Sequence, residues 1–170
     1  MDPAVAADFQ TLSQIAITIM GFTGIIGALQ TRGGKGLTGP EIALVASLLV
    51  VTAFAVFASF IPGTVALIYP EDEARWKWSF RVILIAHLVA WAISIPFMIR
   101  SGFLLEQLPE PQRSITRLFA LLGMSAVVIE ILVVSGNLVG YSAFLYQCIL
   151  LLMVSIAFMS FVFLMFGLNE

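Results

Sequence analysis

The chain reads as an all-α integral membrane protein: a bundle of five transmembrane helices, with the N-terminus outside and the C-terminus cytoplasmic. Three observations carry this reading. Of 170 residues, 61% are hydrophobic and 11% charged, against about 25% charged in soluble domains. Five apolar stretches approach the length of about 20 residues that crosses about 30 Å of hydrocarbon. The segments between them are short and hold most of the charge.

The first span covers about 9–29. The tail before it carries Asp2 and Asp8 and no basic side chain, which fits neither a cleavable signal peptide nor an Arg-rich transit peptide. A Gly-rich loop with Lys35 follows, and its glycines lack the spacing of a phosphate-binding loop. The second span, about 41–69, contains Pro62 and Gly63. Proline removes one helical N–H there, so a neighbour must satisfy the freed carbonyl.

A loop at 70–78 mixes three acids, two bases and two tryptophans. Trp76 and Trp78 are expected to form an interfacial belt. The third span runs over about 78–99, a polar connector over 101–114, and the fourth span over about 115–135. Gly136, Asn137 and Gly140 then break the helix, and the fifth span covers about 142–166. Fusing the last two spans would make one helix far longer than a bilayer is thick. The whole chain, 1–170, is a single transmembrane domain without internal repeat.

Loop charges set the orientation. Arg32, Lys35, Arg100, Arg113 and Arg117 lie on one side, and Arg75, Lys77 and Arg81 on the other. The richer side is expected to be cytoplasmic, which gives a multi-pass protein of the cell membrane (inner or plasma).

Small residues recur at helical spacing on two spans. Gly21, Gly24 and Ala28 lie on the first, with Gln14 and Thr18. Ser47, Ala55, Ser59 and Gly63 lie on a ridge of the second. Such faces let helices approach closely and favour a homo-oligomer or docking on other membrane subunits.

Two ionisable residues interrupt the apolar spans. Glu130 lies within the fourth and His87 at the centre of the third. A lone carboxylate in a span costs roughly 2.5–3.5 kcal/mol on insertion scales, so a partner, a proton or water must offset it. Counted at about 1.5 Å per residue, both lie roughly 10–14 Å below the same surface, where they can meet. Gln147 on the fifth span could join them, and Asn137 closes the turn above. Intramembrane ionisable residues mark ion and proton pathways, whereas interhelical polar contacts also serve structure alone.

No Ser–His–Asp set, paired carboxylates or His-Glu-x-x-His occurs, so the chain is not expected to be an enzyme. No metal site or cofactor is expected. The net charge of −2 without a basic block gives nucleic acid no footprint. The single Cys148 excludes an intrachain disulfide and is expected to be a buried thiol. The function expected is an oligomeric ion- or proton-conducting channel or transport subunit in the lipid bilayer, using the Glu/His site. The alternative is a non-catalytic accessory or assembly subunit of a larger membrane complex.

Overall fold

A computed structural model describes residues 3–32, 39–100 and 110–166. It is all-helical among the described residues: α1 (Pro3–Arg32), α2 (Gly39–Ala66), α3 (Asp72–Arg100), α4 (Glu110–Val134) and α5 (Ser142–Phe166), with a 3-10 turn at Val139–Tyr141. The expected loop at 30–40 and connector at 101–114 fall largely outside the described residues.

Proline starts helices here as well as interrupting them. Pro3, Pro40 and Pro111 each fall in the first two residues of a helix, where the missing N–H has no intrahelical partner to lose. For this reason α4 begins at Glu110 and not at 115, as its apolar run alone suggests. The C-terminal limit of α2 is also corrected, from 69 to Ala66, because Pro70 disfavours helical geometry just before it.

The expected loop at 70–78 is mostly helix. Asp72 and Glu73 occupy the first turn of α3, where carboxylates face the positive end of the helix dipole. Asp72 pairs with Arg75, and Glu73 accepts from Lys77 at 2.8 Å. Trp76 consequently turns inward and is 3% exposed, so it is core and not belt. Trp78 takes the surface position instead. It stacks on Tyr69 with ring centroids 5.3 Å apart, and the Arg81 guanidinium lies 4.5 Å from its ring centre.

The break between α4 and α5 falls at Gly136, whose φ of +95° is left-handed backbone. Asn137 N–H donates to Leu132 O and Gly136 N–H to Val133 O, each at 3.0 Å, a paired C-terminal cap that satisfies carbonyls the helix leaves open. The helix cannot run through.

Helix α5 lies against all four other helices, and α2 packs on α1, α3 and α5, while α4 sits between α3 and α5. Phe9 meets Tyr146 and Phe22 meets Phe161, so α1 and α5 run in the same direction. An aromatic layer of Phe9, Trp76, Phe80 and Tyr146 closes one end of the core.

Among the described residues, three stretches are long and apolar enough to cross a membrane: Val45–Ala66, Asp72–Pro96 and Val139–Val162. The apolar part of α4, Ala120–Val134, is shorter, about 22 Å at 1.5 Å per residue, because Arg113, Ser114, Thr116 and Arg117 occupy its first turns. Large apolar side chains such as Phe22, Phe60, Ile93 and Leu121 point outward, as a lipid-facing surface requires.

Hydroxyl groups are largely satisfied within their own helices. Thr11, Thr18, Thr23, Thr52 and Thr64 each donate to the carbonyl four residues back, at 2.8–3.0 Å. Ser59 donates to Val56 O at 2.7 Å and Ser79 to Arg75 O at 2.8 Å. The hydroxyls of Thr11, Thr18 and Thr23 on α1 therefore create no demand for a water-filled wall.

Candidate functional site

His87 lies halfway along α3, about 22 Å into a helix about 43 Å long. Two turns nearer the start of α3, Phe80 belongs to the aromatic layer, so that layer covers the site from one side. Phe54 of α2 lies with its ring centroid 4.9 Å from the imidazole, and Trp91, one turn on in α3, lies edge-on at 5.5 Å. The helical period places His87 and Trp91 on one stripe.

Glu130 reaches the imidazole from α4. Nδ1 of His87 and Oε1 of Glu130 are 2.9 Å apart, hydrogen-bond distance with one proton between them. The carboxylate is fully buried at 0% exposure and His87 is 4% exposed. Oε2 of Glu130 is also buried and has no hydrogen-bond partner among the described residues. The site is thus one carboxyl, one imidazole and two aromatic rings, with the buried Oε2 of the carboxyl unmatched among the described residues.

The other two expected site residues stand elsewhere. Gln147 donates its amide to Asp8 Oδ2 at 3.1 Å, on an exposed seam between α5 and α1. Asn137 is exposed and donates to Ser135 Oγ at 2.9 Å within the α4–α5 turn. Counting residues inward from a common surface brings His87 and Glu130 together but says nothing of azimuth, and azimuth turns Gln147 away.

The packing residues divide. Ala55 and Ser59 are buried at 2% and 7%, and Ser47 is half-buried, so the α2 ridge packs inside the chain at those positions. A Cβ added at Gly21, Gly24 or Gly63 would meet nothing within 4 Å. Their smallness serves no contact among the described residues. The inward face of α1 is Phe9, Ser13, Ala16, Ile19 and Thr23, and Gln14, Thr18, Gly21 and Gly24 face out. The side chain of Ala28 lies outside the described residues. Cys148, expected to be buried, is exposed on α5.

Phe54 was not legible as a neighbour of His87, because nothing in an apolar α2 marks one phenylalanine among several. Tyr146 was legible in principle. Its hydroxyl donates to Ala58 O at 2.7 Å, and Ala58 is four residues before Pro62, so this is the carbonyl that proline frees.

No protein-family model, no curated protein and no solved structure matches the chain. Among the described residues, no group of three or more His, Cys, Asp or Glu is placed to hold a metal ion.

Proposed function

We propose that this chain is a multi-pass protein of the cell membrane, assembled as an oligomer, that passes protons or small cations through the Glu130–His87 region. One observation carries the reading. Glu130 is wholly buried, with one oxygen on His87 and the other without a partner. A structural strut is selected to satisfy both oxygens, since a buried unmatched acceptor is destabilising. A site that must gain and lose a charged species needs a lone pair left open. Intramembrane carboxylates next to histidine are recurrent in such pathways.

In this reading all five helices cross the bilayer, α1 and α4 included, with the N-terminus outside. The Lys and Arg excess around the first and third connectors supports that orientation. Access to the buried pair comes with helix motion on the microsecond to millisecond scale.

The test is reconstitution of the purified protein into liposomes. Wild-type vesicles should leak protons or monovalent cations, and Glu130→Gln should reduce that flux sharply while still folding. Vesicles that stay tight at every pH from about 5 to 8, the window in which histidine titrates, would sink the pathway reading.

A second reading has its own support. The outward face of α1 with Gln14, Thr18, Gly21 and Gly24 is open, a surface on which another helix can approach closely. An accessory subunit docked there on a larger complex fits equally with a non-catalytic chain. Stoichiometric co-purification with other subunits in mild detergent supports this role, and a closed symmetric homo-oligomer counts against it.

A further inference from the structure

We infer that the species taken up at Glu130 is a proton and not a metal cation, and that Oε2 is the atom that receives it. This rests on the pathway reading above and specifies what that pathway carries.

The 2.9 Å contact between Nδ1 and Oε1 requires a proton between them, because two lone pairs at that distance repel. Oε1 is therefore engaged whichever of the two atoms holds the proton. Oε2 is not: it is buried and has no donor among the described residues. The carboxyl thus offers one free acceptor, in surroundings made of the Phe54 and Trp91 rings around its imidazole partner.

The site is poor in the ligands that a divalent cation takes. Calcium takes six to eight oxygen ligands and magnesium a near-octahedral set, and the described residues supply no group of three or more acidic, His or Cys side chains. A proton needs only one lone pair.

The balance is simple. With a carboxylate beside a neutral imidazole the pair carries one negative charge. Uptake forms an O–H bond at Oε2, leaves the Nδ1–Oε1 contact intact and makes the pair neutral. Release breaks that O–H bond and passes the proton to a water or to the next acceptor. Helix α4 packs on α3 and α5. Among the described residues, the ionisable groups near Glu130 are His87 from α3, at hydrogen-bond distance, and Tyr146 from α5.

The experiment uses wild-type and Glu130→Gln protein in liposomes. Proton entry is followed with an internal pH-sensitive dye, and sodium and potassium flux is followed separately without a pH gradient. In parallel, infrared difference spectra between about pH 8 and pH 5 follow the C=O stretch of a protonated carboxyl. Expected are proton entry without sodium or potassium flux, reduced to the rate of empty vesicles in Glu130→Gln, and a buried carboxylic-acid band absent from that variant. Glu130-dependent sodium or potassium flux without proton entry overturns the inference and leaves the pathway reading standing. Vesicles tight to all three ions sink the pathway reading, and the infrared band still decides Oε2. Its presence in wild type alone upholds proton uptake, and identical spectra in the two proteins overturn it.

Discussion

The hydroxyl of Tyr146 donates to the carbonyl of Ala58, 2.7 Å away and fully buried, and that carbonyl is the one Pro62 leaves without its helical donor. Proline at position 62 removes the N–H that would close this turn of α2, and α5 returns a donor from outside. Tyr146 is also the hub of the aromatic layer, touching Phe9, Trp76 and Phe80. The pairing thus joins the proline-interrupted turn of α2 to a fully buried residue of α5.

Tyr146→Phe should destabilise the protein by about 1–3 kcal/mol, the range for leaving a buried acceptor unmatched. In a Pro62→Ala background, residue 62 regains its N–H and the same tyrosine change should do less harm. Thermal unfolding of the four proteins in detergent measures the coupling. Additive losses would mean that the hydroxyl does not serve the proline's carbonyl.

Glu130→Gln keeps a hydrogen-bonding group beside His87, so its melting temperature should stay near wild type. Glu130→Ala leaves the imidazole buried without its partner and opens a cavity, for a loss of about 2–4 kcal/mol. A glutamine variant as unstable as the alanine one would argue that the pair needs its charge to hold α3 on α4.

The tryptophans separate core from surface. Trp76→Ala should cost about 3–5 kcal/mol, as for a large core residue. Trp78→Ala, at a half-open position stacked on Tyr69, should cost about 1 kcal/mol. Equal losses would place both rings in one environment, against the inward turn of Trp76.

Much of the fold was legible because proline, glycine and charge act locally. Pro111 and the Asp72–Glu73 pair lengthen their helices at the start, and Gly136 ends α4 at the residue where a left-handed φ is required. What a linear pattern cannot carry is rotation about the helix axis. The α1 stripe containing Gly21 and Gly24 looked like a packing face, yet Ser13, Ala16 and Ile19 turn inward instead. Depth brought His87 and Glu130 together, and the same depth count misassigned Gln147.

That outward stripe makes a further prediction. Gly24→Leu should leave the single chain as stable as wild type, since beyond the adjoining turns of its own helix the added Cβ meets no atom of the described residues within 4 Å. If α1 forms the contact between copies, the assembled particle should become smaller in size-exclusion chromatography with light scattering. An unchanged particle would mean that the stripe faces lipid.

Orientation can be read by labelling in a Cys148→Ala background. Cysteines introduced as Asp2→Cys and Asp72→Cys should react with an impermeant thiol reagent in intact cells, and Gln112→Cys should not. Labelling of the last would reverse the topology.

The hydroxyls that bond within their own helices bear on biogenesis. A helix whose Ser and Thr donors are already matched can enter the bilayer by itself, because it brings no unmet hydroxyl into hydrocarbon. Helix α4 differs, since Glu130 is matched only by a group on another helix. Synthesis proceeds from the N-terminus, so α3 and its imidazole emerge before α4 does. In the five-span reading proposed above, Glu130 therefore reaches the membrane when its partner is already there.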